Sequence, residues 1–155
     1  MKIQLLKFVL SLTSYMPLKL AHWIGGFIGW IYQIKQSKMK NIAITNIQQC
    51  FPEMDPAQQH QLLQDTLLET GKLIAELGII WGRSSHSVLA LVKEVEGEQL
   101  IDNAREQGKG VLLAMPHMGS WELVALYCAK HFPMTTLYRP PKTRGFDQKI
   151  RQARQ

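Results

Sequence analysis

A chain of 155 residues, 46% hydrophobic and 19% charged, has enough apolar content for one packed domain and too much for a disordered one. Its two cysteines, Cys50 and Cys128, are too few and too far apart for a disulfide framework or CxxC chemistry. The net charge of +6 is laid out in blocks: residues 1–40 hold six Lys and no acid, 41–129 five bases and eleven acids, and 130–155 seven bases and one acid, a pattern a uniformly basic nucleic-acid binder does not show.

The first predicted elements are two apolar stretches, 3–18 and 20–34, each about 15 residues and shorter than the roughly 20 needed to span a bilayer. Lys7, Pro17, Lys19 and His22 interrupt them. Trp23, Trp30 and Tyr32 are aromatics favoured at membrane interfaces, and Lys35, Lys38 and Lys40 place the following flank on the cytoplasmic side. Residues 1–38 therefore read as a membrane-associated helical segment, either one tilted span or an in-plane hairpin, with a soluble buried hairpin as the alternative. Gly25 and Gly29 form a GxxxG pattern that suits tight packing within that hairpin.

A polar helix follows over 39–49, and Pro52 breaks it after Cys50 and Phe51. Asp55-Pro56-Ala57-Gln58 is a helix start, with Asp55 as cap, Pro56 at the first position and Gln58 completing a capping box. Leu62, Leu63, Leu67, Leu73, Ile74 and Leu77 then recur at helical spacing over 56–80, with Gly78 and Gly82 where the helix ends. Residues 88–95 suggest a short strand or helix end. A helix over 98–107 puts Leu100, Ile101 and Ala104 on one face, and Gly108-Lys109-Gly110 closes it. The apolar run 110–115 (GVLLAM) has the pattern of a buried strand. A helix over 119–130 and a second strand over 134–138 come next, and Phe146 and Ile150 start another helical face.

This order predicts an α/β layer with a parallel sheet. Two or three strands do not complete such a sheet. Residues 39–155 thus read as the amino-terminal part of an incomplete α/β domain.

The predicted strand 110–115 runs into Pro116-His117-Met118-Gly119-Ser120-Trp121-Glu122. Ligands bind at that edge of open α/β sheets. His117 lies on the loop and Glu122 in the first turn of the next helix. A carboxylate on one imidazole nitrogen fixes the tautomer and leaves the other nitrogen basic, able to take a proton from a hydroxyl. Gly119 lets the backbone turn tightly, and the helix amino terminus offers N–H groups to an anion. The bland alternatives are a structural His near a strand end and a Glu placed by the helix dipole alone. His22, His60, His86 and His131 lack metal-ligand spacing and suit surface or interface positions. The cysteines suit small buried apolar roles in a reducing compartment. Ser120 is not in a G-x-S-x-G elbow, and Trp121 suits packing beside the site.

PHMGSWEL resembles the H-x4-[D/E] block of the glycerolipid-type acyltransferases, and most closely the lipid A biosynthesis (late) acyltransferases of lauroyl or myristoyl type. Other blocks support the resemblance in order: the apolar amino terminus, Asn46 with Cys50-Phe51-Pro52-Glu53, a long helix with Glu76, Val95-Glu96-Gly97, Gly108 to Val111, Tyr138-Arg139-Pro140, and a basic helix with Arg151 and Arg154. The resemblance covers nearly the whole chain, and family members run to about twice its length. It implies transfer of a fatty acyl group from acyl carrier protein to a hydroxyl of a lipid A precursor, at the cytoplasmic face of the bacterial inner membrane and in contact with its lipids.

Carried over, His117 is the general base and Glu122 orients it. Gly119, Arg139 and Arg154 serve the anionic substrate or oxyanion, a task suited to the planar guanidinium. The resemblance implies no metal or cofactor, because the thioester is already activated. The acyl chain needs an apolar slot. Lys142, Arg144, Lys149 and Arg151 offer a surface to an acidic carrier protein, or form a solvated face or a contact with anionic lipid. Two readings compete: a glycolipid or phospholipid acyltransferase using acyl-CoA, and an inactive membrane-associated fragment.

Overall fold

The computed structural model describes residues 2–139, and the chain divides into two compact units, Met1–Arg83 and Ser84–Gln155. The first unit holds α1 (Lys2–Ser14), α2 (Leu18–Ile34), α3 (Lys38–Cys50) and α4 (Pro56–Gly82). Local chemistry fixes their ends. Pro17 separates α1 from α2, and its carbonyl accepts from the N–H groups of Leu20 and Ala21. The Ser37 hydroxyl caps α3 by accepting from Lys40 N–H at 3.1 Å. The expected capping box opens α4: Asp55 Oδ1 accepts from Ala57 and Gln58 N–H, and Asp55 N–H donates to Gln58 Oε1 at 3.0 Å.

The 27 residues of α4 form the support on which α1, α2 and α3 pack. Leu63, Leu67, Gly71, Ala75 and Gly78 recur at helical spacing and are buried. Opposite them α2 buries Ala21, Gly25 and Gly29. A Cβ on Gly25 would lie 2.6 Å from the Gly71 carbonyl oxygen, and one on Gly29 would lie 2.5 Å from that of Leu67. The GxxxG pattern therefore does not pack α2 on α1, as a hairpin would require. It packs α2 on α4, because α4 supplies the matching glycine.

Thr13 and the Leu10 backbone of α1 meet Gly78 in the same way. Polar links tie these helices further. His22 Nε2 and Glu76 Oε1 are 2.6 Å apart between α2 and α4. The Arg83 guanidinium donates to the carbonyls of Ser14 and Met16, satisfying acceptors left open at the end of α1. Lys40 does the same for Gln33 at the end of α2.

No described helix is long and apolar enough to cross a membrane. The apolar amino-terminal stretches instead form α1 and α2, each with one face committed to α4.

The second unit contains α5 (Ser85–Leu89), α6 (Glu98–Glu106) and α7 (Trp121–His131), with α5 packed on α7. The expected α/β architecture is not found: the described residues form helices and no strand. Segments 110–115 and 134–138 carry no regular secondary structure, and 88–95 begins in α5 and continues through a turn into irregular chain. An apolar run signals burial, but a strand also needs a neighbour in register, and a two-stranded parallel pair is a weak arrangement. Leu112 is 90% exposed and Leu137 fully so, which places neither side chain in a packed layer.

Candidate active site

The turn between segment 110–115 and α7 is set by Gly119, whose φ of +54° lies in the left-handed region that residues with a Cβ disfavour. Nothing crowds its missing Cβ, so the requirement for glycine here is conformational and not steric. Ser120 precedes α7 without a side-chain capping bond.

Glu122 sits in the first turn of α7 and is 3% exposed. The positive end of the helix dipole favours its carboxylate there. His117 is exposed on the loop, and its ring lies 4.7 Å from that of Trp121 at 45°. Trp121 thus packs beside His117. The structure brings His117, Gly119 and Glu122 to the amino terminus of one helix. Arg139 is exposed at the end of the described residues. Arg154, with Lys142, Arg144, Lys149 and Arg151, lies outside them.

An apolar groove of about 590 Å³ occupies the same unit. Leu100, Ile101 and Ala104, the face expected of α6, line one side. Val111, Leu113, Met115, Val124 and Phe132 are among the residues that line the rest. Met115 stands two residues before His117, so the lining reaches the start of the loop. This apolar surface over 110–115 belongs to a groove wall and not to a sheet.

Across the groove Tyr127 donates its hydroxyl to Glu98 Oε1 at 2.9 Å, joining α7 to α6. Burial, and then the Glu98 carboxylate, raise the Tyr127 phenol above its ordinary pKa. The His131 ring stacks on Tyr127 with centroids 4.0 Å apart. Spacing did not reveal the Tyr127–Glu98 or His22–Glu76 pairs, whose members are 29 and 54 residues apart. Among the described residues no group of three or more His, Cys, Asp or Glu is placed to hold a metal.

Cys128 also lines the groove, and burial raises its thiol above the ordinary value. Cys50, expected to be buried, is exposed. At pH 8 iodoacetamide should alkylate Cys50 at least about 100-fold faster than Cys128, because the thiolate is the reactive form and access is required. Peptide mass spectrometry reads both sites, and equal rates would contradict the burial of Cys128. The raised pKa makes the Cys128 contribution to stability complete below the ordinary thiol value, and it is lost as pH climbs through the folded value.

The family model for bacterial lipid A biosynthesis acyltransferases matches residues 2–155. The chain belongs to this family. A lipid A biosynthesis acyltransferase of Haemophilus influenzae is 31% identical over 137 residues, covering 86% of this chain and 42% of that protein. The lipid A biosynthesis palmitoleoyltransferase and lauroyltransferase of Escherichia coli (strain K12) are each 26% identical over 132 residues, covering 85% of this chain and 43% of each relative. The chain thus spans about two fifths of the length of these curated family members. No solved structure matches it. The ordered motif blocks and the family assignment agree, although the sheet expected from them is absent among the described residues.

Proposed function

We propose that this chain carries the acceptor-activating part of a lipid A biosynthesis acyltransferase. The observation that carries the reading is His117 on the loop before α7, with Glu122 buried in that helix's first turn, in a chain of this family. His117 takes the proton of a lipid A precursor hydroxyl, and the hydroxyl oxygen attacks the thioester carbonyl of acyl carrier protein. Glu122 holds the imidazole and stabilises its protonated form. The oxyanion of the tetrahedral intermediate draws on N–H groups at the start of α7 and on Arg139 and Arg154. The C–S bond then breaks, the ester is formed, and the imidazolium returns its proton to the leaving thiolate. The groove beside Met115 suits an acyl chain.

The basic residues Lys142, Arg144, Lys149 and Arg151 suit an acidic carrier protein as partner. The reaction belongs at the cytoplasmic face of the inner membrane, where the lipid acceptor is held. Donor competition tests the reading. The full chain is given an under-acylated lipid A precursor with lauroyl-acyl carrier protein or lauroyl-CoA, and the product is read by mass spectrometry. Ester formation from the carrier-protein donor at least about tenfold faster is expected, since steered protein encounters gain that much from charge. Preference for CoA would move the chain to another acyl donor, and no product from either would remove the proposal.

A further inference from the structure

We propose that Phe132 and Arg105 together close the far end of the apolar groove and limit the acyl chain it takes to about twelve carbons, a limit whose ligand rests on the acyl-transfer reading above. On α7, Val124, Tyr127 and Cys128 line the groove, and Phe132 lines it where the helix ends. Their spacings of three, one and four residues place them on one face, so the groove follows α7. Glu122 and the loop that carries His117 stand at the amino-terminal end of that helix. A thioester carbonyl held there has the apolar lining leading from it toward Phe132.

Two side-chain links join α6 to α7 across the groove. Tyr127 donates to Glu98 at 2.9 Å, in the first turn of α6. The Arg105 guanidinium, in the last turn of α6, lies 5.7 Å from the centroid of the Phe132 ring. Both helices thus advance in the same direction from the first link to the second. The Tyr127–Glu98 bond holds the walls at a set separation. Beyond it Ile101, Ala104 and Cys128 continue the apolar lining as far as the Phe132 ring.

Arg105 makes that ring a stop. Its guanidinium is paired with Asp102 at 3.7 Å and is about half exposed to water. A methyl end pushed past the ring would break the ring–cation contact and strip water from a charge. Length sets the carbon count. Ten residues of helical rise separate Glu122 from Phe132, about 15 Å. An extended chain advances about 1.2 Å per bond, since three backbone bonds span at most about 3.6 Å. The run to Phe132 therefore takes about twelve bonds.

Occupancy can be read in the groove itself, without turnover. Fatty acids of eight to eighteen carbons, each below its micelle-forming concentration, are added to the full chain. Iodoacetamide alkylation of Cys128 is followed by peptide mass spectrometry, with Cys50 as the internal reference. Cys128 lines the groove and Cys50 is exposed elsewhere, so an occupying chain shields the first and not the second. The half-protecting concentration is expected to fall about fourfold per added carbon, the gain from burying one methylene, and to level off at about twelve carbons. F132A should move that break up by about two to four carbons and F132W down by about two, and a damaged fold does not give opposite shifts. Protection with this break supports the stop even where donor competition yields no product, so the stop and the acyl-transfer reading can fail separately. Protection that keeps rising to eighteen carbons, a break that neither variant moves, or no shielding of Cys128 by any chain length would each overturn the proposal.

Discussion

The His117→Ala variant is expected to lose acyl transfer by about 10²–10⁴-fold while retaining its fold, the range for removing a general base. His117 is exposed on a loop, and its ring lies tilted beside that of Trp121, so truncation opens no core cavity. The cost in stability should be within about 0.5 kcal/mol, as for surface changes away from special features. Glu122 is the opposite case. It is 3% exposed, and shortening it to Ala would confuse packing with catalysis. Glu122→Gln keeps the shape and removes the charge that would stabilise an imidazolium.

If the two residues act as one unit, their losses will not add, and the double variant H117A/E122Q will be no slower than H117A. The measurements are initial rates with acyl carrier protein thioester, alongside urea unfolding of each variant. Retained turnover in H117A with an unaltered fold would remove His117 as the base and leave Glu122 as a helix-stabilising residue only.

The second large effect concerns stability, and its sign is the informative part. Alanine favours a helix interior over glycine by about 1 kcal/mol. Gly71→Ala should nonetheless destabilise the first unit by about 1–3 kcal/mol, the usual cost of overpacking. A Cβ there would collide with the Gly25 carbonyl oxygen and approach Gly29 N, both of them backbone atoms of a packed helix that cannot swing aside.

Gly26→Ala is the matched control. It lies in the same α2, yet its Cβ would meet nothing within 4 Å. This variant should gain up to about 1 kcal/mol. Urea midpoints followed by far-ultraviolet circular dichroism distinguish the two. If Gly71→Ala also gains stability, α2 and α4 are not packed backbone to backbone.

Helix ends were legible because they rest on neighbours in sequence. Asp55, Pro56 and Gln58 fix the start of α4 through bonds that span three residues. The apolar face of α6 was legible for the same reason, since Leu100, Ile101 and Ala104 repeat with the helical period and now line the groove. The strand reading of 110–115 failed because hydrophobicity measures the need for cover and not the kind of cover. That need is met in part by a groove wall, with no β-ladder.

By itself the sequence determined the family, through motif blocks whose order is a one-dimensional property, together with the helix caps and the blocks of charge. Only the tertiary structure decided which helix the Gly25–Gly29 face meets, that His22 faces Glu76, and that Glu122 is buried while His117 is open. Each of these depends on contacts between distant positions, or on how neighbouring segments cover a side chain. A glycine records that a close approach is possible, but the approaching helix is chosen only when the whole set of faces is packed at once.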